Sequence, residues 1–176
     1  MAKCEFCDLI KGKMNKIYED DLIYVMLAPK PSAIGHVLVL PKKHIMIIEQ
    51  LQDYEVGEIF EKVNKISTAV FESLGAQGTN IIVQNGVAAG QSHSHMMIHV
   101  IARRENDGLD FNWQPKQLSE EEMSTIELKL KEFTKNIGAF EEKPPAPVEM
   151  EKKVETIKED KDSAENYLIK QLERIP

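Results

Sequence analysis

Short apolar segments separated by turn residues predict a β-sheet in the first hundred residues of the chain. Residues 17–19 and 22–27 flank a pair of aspartates, and this arrangement predicts a β-hairpin. An uninterrupted apolar run at 37–40 ends at a proline, which predicts a buried strand that stops there. Two further strands are predicted at 80–84 and 94–101.

Two later segments carry apolar residues at helical spacing. One runs from residue 53 to 74, and Gly75 ends the pattern. Ser119 and Glu122 form a capping box ahead of a second helix that extends to about Asn136. The chain therefore has the pattern of an α+β domain.

The composition of the chain changes after residue 140, which predicts a boundary between a folded domain at 1–140 and a distinct C-terminal region. Residues 141–149 are rich in proline and predict an extended linker. Residues 150–176 are charged, with apolar residues at helical spacing, and predict a helical tail. Two interpretations of the tail stay open: a mostly solvated, partly disordered helix, or an arm that docks on the same protein or on a partner subunit.

The overall composition of the chain argues against some functional classes. Apolar residues make up 42% of the 176 residues, and no apolar run approaches the ~20 residues that cross a bilayer. The first ten residues lack the pattern of a secretory signal, so we expect a cytoplasmic protein without a membrane anchor. A net charge of −7 argues against broad nucleic-acid binding, which draws on clustered lysine and arginine.

Candidate chemistry is concentrated in two cysteines and five histidines. Cys4 and Cys7 are three residues apart, a spacing typical of metal or redox chemistry in a reducing compartment. The histidines occupy two short segments: His36 and His44 in the first, and His93, His95 and His99 in the second. Alternate side chains of a strand share one face, so residues 93, 95, 97 and 99 would line one surface if 94–101 is a strand. Position 97 on that surface is methionine.

The order of these motifs resembles the histidine triad (HIT) superfamily over residues 4–137. The motifs are Cys4-x-x-Cys7, the segment GHVLVLPKKH that holds His36 and His44, and GQSHSHMMIHVIAR, which ends at Arg103. The resemblance implies an α+β fold, in which a long helix and a C-terminal helix pack on an antiparallel sheet of about five strands. It also implies a homodimer and a nucleotide bound with its phosphate over the triad. In active members the middle histidine of the triad attacks the α-phosphate and carries the nucleotidyl group covalently. In this chain Met97 stands at that position.

Two departures from the family pattern weaken the prediction of ordinary nucleotidyl chemistry. The thioether of Met97 is a poor nucleophile towards phosphate, whereas neutral imidazole supplies a suitable lone pair near pH 7. Ala28 occupies a position where family members commonly carry Asp or Asn for the ribose hydroxyls. We therefore expect binding of a phosphorylated ligand rather than the usual covalent step.

The residues that the resemblance assigns to phosphate or ligand binding are largely present. They are His36, Asn85, Gly90, Gln91, Ser92 and His99. The glycine-containing loop that precedes Gln91 would allow close approach of the backbone to an anion. A plain polar turn between strands is the alternative for Gln91 and Ser92.

The resemblance also implies a zinc site, as in the zinc-bearing branch of the family. Its ligands would be Cys4, Cys7, His44 and His95, a closed set typical of structural zinc. Two free thiols packed as small apolar residues, or a redox pair, are the alternatives.

Three functional hypotheses follow from the sequence. The first is a HIT-type protein that binds a nucleotide or other phosphorylated small molecule without covalent nucleotidyl transfer. The second is an active nucleotide phosphoramidase or dinucleotide hydrolase that uses a rerouted nucleophile, with His99 or His93 as catalytic candidates. The third is a zinc-dependent hydrolase or lyase that uses His93, His95 and His99. A straight strand separates the outer two by ~20 Å, so this site needs a bulge near Ser94 or a histidine from a second subunit.

Overall fold

The computed structural model describes residues 4–137, and the predicted linker at 141–149 and tail at 150–176 lie outside this range. Its strands are β1 (Lys16–Glu19), β2 (Ile23–Leu27), β3 (Val37–Pro41), β4 (Gly78–Val83) and β5 (Ile98–Arg103). Its helices are α1 (Glu5–Lys11), α2 (Asp53–Leu74) and α3 (Glu120–Phe133), with 3-10 turns at Ile48–Gln50, Val87–Ala89 and Thr134–Asn136. Within 4–137, no helix is both long enough and apolar enough to cross a membrane.

The five strands form one antiparallel sheet in the order β1-β2-β3-β5-β4. The last strand in sequence therefore lies inside the sheet, between β3 and β4. His99 of β5 pairs with Leu38 on one side and Ile82 on the other. The α+β class and the number of strands are confirmed, and the topology brings His99 to the middle of the sheet.

Each face of the sheet is covered by a different apolar layer. On one face, Ile59, Val63 and Val70 of α2 pack on buried strand residues. On the other face, Phe6 of α1 packs with a second cluster that includes Leu38. Full burial of one such side chain contributes roughly 1.5–3 kcal/mol relative to exposure. The second face therefore carries α1 together with His36, which immediately precedes β3, and His99 of β5.

Two glycines fix the backbone around the C-terminal end of α2. Gly75 has a positive φ of 57° and caps the C-terminus of the helix, as its sequence position predicts. Gly35 has a φ of 84°, and a Cβ added there would collide with the side chain of Leu74. The close approach between the β2–β3 loop and the end of α2 fixes the position of His36, which immediately precedes β3.

The segment before β5 differs from its prediction. A strand over 94–101 is wrong at its start, because β5 begins only at Ile98. The amide of Met96 donates instead to the carbonyl of Ile45, and Met96 is buried in the α2-side core. Residues 93–97 are irregular, so His93, His95 and His99 do not project from one straight strand face.

The C-terminal helix also differs from its prediction in one respect. α3 begins at the predicted capping box, in which Ser119 Oγ accepts from the amide of Glu122. Every residue of α3 is exposed, so the helix does not pack on the sheet of the described chain.

Candidate metal and ligand sites

Cys4, Cys7, His44 and His95 come together at the N-terminal end of α1. Their four ligand atoms all lie within 4.8 Å of one another. The distances from sulfur to imidazole Nδ1 are 3.5 Å from Cys4 to His95, 3.4 Å from Cys7 to His44 and 3.6 Å from Cys7 to His95. Tetrahedral zinc with Zn–S of about 2.3 Å and Zn–N of about 2.1 Å separates its ligands by roughly 3.4–3.8 Å. The donor set and its spacing therefore fit a zinc ion.

The hydrogen bonding of His95 prepares it to act as a ligand. Its Nε2–H donates to the carbonyl of Pro41 at 3.0 Å, which leaves the lone pair on Nδ1 facing the two thiols. The side chain is fully buried, and this burial holds the pKa of His95 below its ordinary value. The imidazole is consequently neutral, the state that coordinates metals.

A cavity of about 350 Å³ lies beside this cluster, on the same face of the sheet. Its lining residues come from α1, the β2–β3 loop, strands β3 to β5 and the loop segments that flank β5. The predicted ligand residues His36, Ser92 and His99 line it, together with His93 and Met97. Ala28 lines the same cavity.

Two histidines of this cavity form a directed hydrogen-bond chain. The amide of Ser32 donates to His36 Nδ1 at 3.1 Å, so the single proton of a neutral His36 must be on Nε2. His36 Nε2 then donates to His99 Nδ1 at 3.0 Å. His99 in turn carries its proton on Nε2. The chain therefore makes His99 Nε2–H a hydrogen-bond donor and leaves neither ring nitrogen of His99 with a free lone pair.

The electrostatics of the pair keep both rings neutral. Burial lowers the pKa of His36. Burial, followed by the neighbouring His36 and His93, lowers the pKa of His99 to about 4. Near pH 7 the pair consequently presents a dipolar donor rather than a positive charge.

Met97 and His93 occupy different environments in the cavity. Met97 is partly buried and packs against the apolar cluster around Phe6 and Leu38. His93 is exposed, and its ring meets the edge of Phe6 with centroids 4.9 Å apart and an interplanar angle of 75°. The thioether therefore extends the apolar wall, while His93 lies at the solvent side of the cavity.

Two predicted ligand residues brace the loop before β5 instead of lining the cavity. Gln91 Oε1 accepts from the amide of Gly86, and its Nε2 donates to the carbonyls of Met46 and His93. Asn85 Oδ1 accepts from the amide of Ile48. Their assignment to phosphate binding stays a prediction, as does that of Gly90, which has a φ of 88° and approaches the side chain of Gln84 closely.

The positions of the side chains do not allow the alternative metal site formed by His93, His95 and His99. Among residues 4–137, the only group of potential ligands close enough to share an ion is the one with both cysteines. In it, His95 Nδ1 faces the thiols and Nε2 is bonded to Pro41, so His95 has no ring nitrogen left for an ion shared with His93 and His99.

Sequence reasoning missed several residues that line the cavity. They are Glu5, Phe6, Lys30, Ser32, Gln84 and Phe111. Lys30 and Ser32 lie in the loop that leads to His36. Because they are polar and close in sequence to a candidate histidine, the sequence could have indicated them as cavity residues. Phe111 follows β5 by eight residues and is held under the guanidinium of Arg103, 5.2 Å from the ring centroid. No local pattern indicates that contact.

The fold and the paired sites define an α+β protein with a Cys2His2 cluster next to a histidine-lined cavity. The HIT domain family matches residues 11–106, more than half of the chain, and the chain belongs to this family.

Known relatives carry hydrolase names. Adenylylsulfatase HINT3 from Arabidopsis thaliana is 39% identical over 108 residues, which cover 60% of this chain and 55% of that protein. The chain thus spans about half the length of this relative. Adenosine 5'-monophosphoramidase hnt1 from Schizosaccharomyces pombe is 31% identical over 126 residues, covering 70% of this chain and 92% of that protein.

A solved structure of similar fold contains zinc. The Zn-bound histidine triad family protein from Mycobacterium smegmatis is 31% identical and superposes with a TM-score of 0.57, covering 74% of this chain and 95% of that one.

Proposed function

We propose that the chain binds a nucleotide or another phosphorylated small molecule in the cavity beside His99, without forming a covalent nucleotidyl–histidine intermediate. The observation that carries this proposal is the pairing of an intact, neutral His36–His99 donor chain with a thioether at position 97. The chain therefore retains a group that can bind a phosphate oxygen and lacks, at position 97, one that can attack phosphorus.

Binding would rest on donors that suit an anion. His99 Nε2–H offers a fixed hydrogen bond, and its neutrality means that no proton has to be released or taken up when the ligand enters. Lys30 and Ser32 from the β2–β3 loop line the same cavity and supply a positive charge and a hydroxyl. The apolar wall of Phe6, Leu38 and Met97 suits a planar or apolar part of the ligand.

We further propose that Cys4, Cys7, His44 and His95 hold a structural zinc ion. The Sγ to Nδ1 distances of 3.4–3.6 Å support this site, as does the tautomer of His95, whose Nδ1 lone pair faces the two thiols. A bound zinc would stabilise the two thiolates and join α1 to the loops before α2 and β5. All four coordination positions belong to side chains, so the ion would have no open position for a substrate.

A hydrolase with a rerouted nucleophile is the second candidate, because His93 lines the same cavity and the named relatives are hydrolases. In that case His93 would be essential for turnover of a phosphoramidate or dinucleotide, and His93→Ala would abolish it.

Isothermal titration with AMP, adenosine and inorganic phosphate tests the first proposal. We expect AMP to bind the wild type and Met97→Leu with similar affinity, because leucine keeps the apolar wall. We expect His99→Phe, which removes the Nε2 donor, to bind AMP at least tenfold more weakly, the equivalent of about 1.4 kcal/mol. AMP binding unaffected by His99→Phe would contradict the proposed site.

A further inference from the structure

The cavity face of the sheet continues past the cavity to the end of β5. His99 and Ile101 of β5 line the cavity, and so does Ile82 of the neighbouring strand β4. Because alternate side chains of a strand share one face, Arg103 continues this row on β5 and Asn80 continues it on β4. Arg103 does not line the cavity. It therefore lies just beyond the cavity floor, next to the segment that leaves β5.

The guanidinium of Arg103 fixes the turn that follows β5. Its Nε and Nη2 donate to the carboxylate of Asp107 at 2.6 and 2.9 Å, a forked contact. Nη1 donates to Asn80 Oδ1 at 2.5 Å, and Nη2 also donates to the carbonyl of Leu109 at 2.5 Å. The Asp107 carboxylate in turn accepts from the amides of Arg104 and Leu109. Its bonds to Arg103 hold the pKa of Asp107 well below its ordinary value, so the pair stays charged near pH 7.

This turn places Phe111 at the cavity. The guanidinium carbon of Arg103 lies over the Phe111 ring, 5.2 Å from its centroid. Phe111 lines the cavity and Arg103 does not, so the guanidinium covers the ring on the side away from the cavity. Of the two phenylalanines that line the cavity, Phe111 is 42% exposed and Phe6 only 5%. Phe111 is therefore the one whose ring face is accessible to a ligand.

We propose that Phe111 stacks on the base of a bound nucleotide and that Arg103 positions the ring for this contact. This role rests on the proposed binding of a nucleotide with its phosphate beside His99. Arg103 lies four residues beyond His99, about 13 Å along β5, so the ring that it supports lies away from the phosphate donor. A flat apolar ring face suits a base, since stacking on an aromatic side chain strengthens binding by about fivefold or more per base.

Isothermal titration of the full chain tests the role of Phe111, with AMP titrated directly and ribose 5-phosphate measured in competition with it. The two ligands share the phosphate and the sugar, so the ratio of their affinities depends on the base. We expect Phe111→Ala to weaken AMP binding at least fivefold and to leave ribose 5-phosphate binding unchanged. An unchanged affinity for AMP would overturn the stacking role and leave the proposed binding site standing. No binding of AMP to the wild type would overturn both.

The positioning role of Arg103 is tested with Arg103→Lys. Lysine keeps the charge but cannot make the forked contact with Asp107. We expect this variant to weaken AMP but not ribose 5-phosphate, and to cause no further loss when combined with Phe111→Ala. Arg104→Lys is the matched control, because the Arg104 guanidinium donates to the carbonyl of Leu74 instead. Equal weakening of both ligands by Arg103→Lys, or an additive loss in the double variant, would overturn the positioning role.

Nuclear Overhauser contacts in the AMP complex locate the base directly. We expect contacts between the adenine protons and the ring protons of Phe111, identified by their absence from Phe111→Leu. Contacts between adenine and Phe6 without any to Phe111 would place the base elsewhere in the cavity and overturn the proposal.

Discussion

The two histidine-rich sites of this chain differ in which candidate functional groups they contain. The cluster of Cys4, Cys7, His44 and His95 has four potential ligands at metal-binding distances. The adjacent cavity contains the His36–His99 chain, and Met97 lines it at the position that the sequence resemblance assigns to the nucleophile. The two sites share a face of the sheet and one irregular segment, 93–97. On the two proposed assignments, the metal site that supports the fold would persist without the covalent chemistry.

Burial explains why the two sites should respond differently to substitution. His95 is fully buried and uses both ring nitrogens within the protein. His93, two residues earlier, is exposed and contacts Phe6 through a ring edge. Changes at the cluster should therefore act on folding, and changes in the cavity should act on ligand binding.

Metal removal should have the largest effect. If zinc binds only the native state, free zinc at 1,000 times its Kd stabilises the protein by about 4 kcal/mol. We expect chelation to lower the melting temperature by ten degrees or more, and zinc but not magnesium to restore it. Differential scanning calorimetry of the full chain measures this.

The cysteine-to-serine variants serve as controls for metal removal. Cys4→Ser and Cys7→Ser should melt like the chelated wild type and gain little from added zinc. Identical melting of the wild type with and without zinc would contradict a structural metal site.

The second prediction contrasts the two neighbouring histidines. His95→Ala should lose about 3–4 kcal/mol of stability, because it leaves the Pro41 carbonyl without its donor and removes a ligand. His93→Ala should change stability by no more than about 1 kcal/mol. Urea denaturation in the presence of zinc measures both. Equal losses of stability in the two variants would show that His93 also stabilises the fold.

These contrasts also show what sequence could and could not predict. The α+β class and α2 follow from apolar spacing, which is a local signal, whereas the four members of the Cys2His2 cluster follow from the resemblance of motifs that are far apart in the chain. The irregular path of 93–97 does not, because it depends on the amide of Met96 bonding to the distant carbonyl of Ile45. The loop-bracing bonds of Gln91 and the exposure of α3 likewise depend on tertiary placement that no local pattern encodes.

A third prediction concerns pH and the buried imidazole pair. The pKa of His99 is lowered from 6.5 to about 4, so between these values the unfolded chain binds a proton that the native chain does not. Stability from this group is complete above about pH 6.5 and decreases as the pH falls towards 4, by up to about 3 kcal/mol. His36 and, in chelated protein, His95 have pKa values that burial also lowers, so both add to the same loss of stability in acid.

Chelated protein should be used for this titration, so that acid release of metal does not contribute. His99→Gln should flatten the dependence of stability on pH between 6.5 and 4. A profile that stays as steep in this variant would assign the acid sensitivity to other groups.

The most direct test of the account is intact-mass spectrometry after incubation with an adenosine 5'-phosphoramidate and rapid acid-free quenching. The account predicts no added adenylyl mass on the wild type, although AMP binds it, and an adenylylated fraction in Met97→His that is lost in Met97→His/His99→Phe. An adenylyl group found on wild-type His93 or His99 would contradict it and favour a rerouted nucleophile.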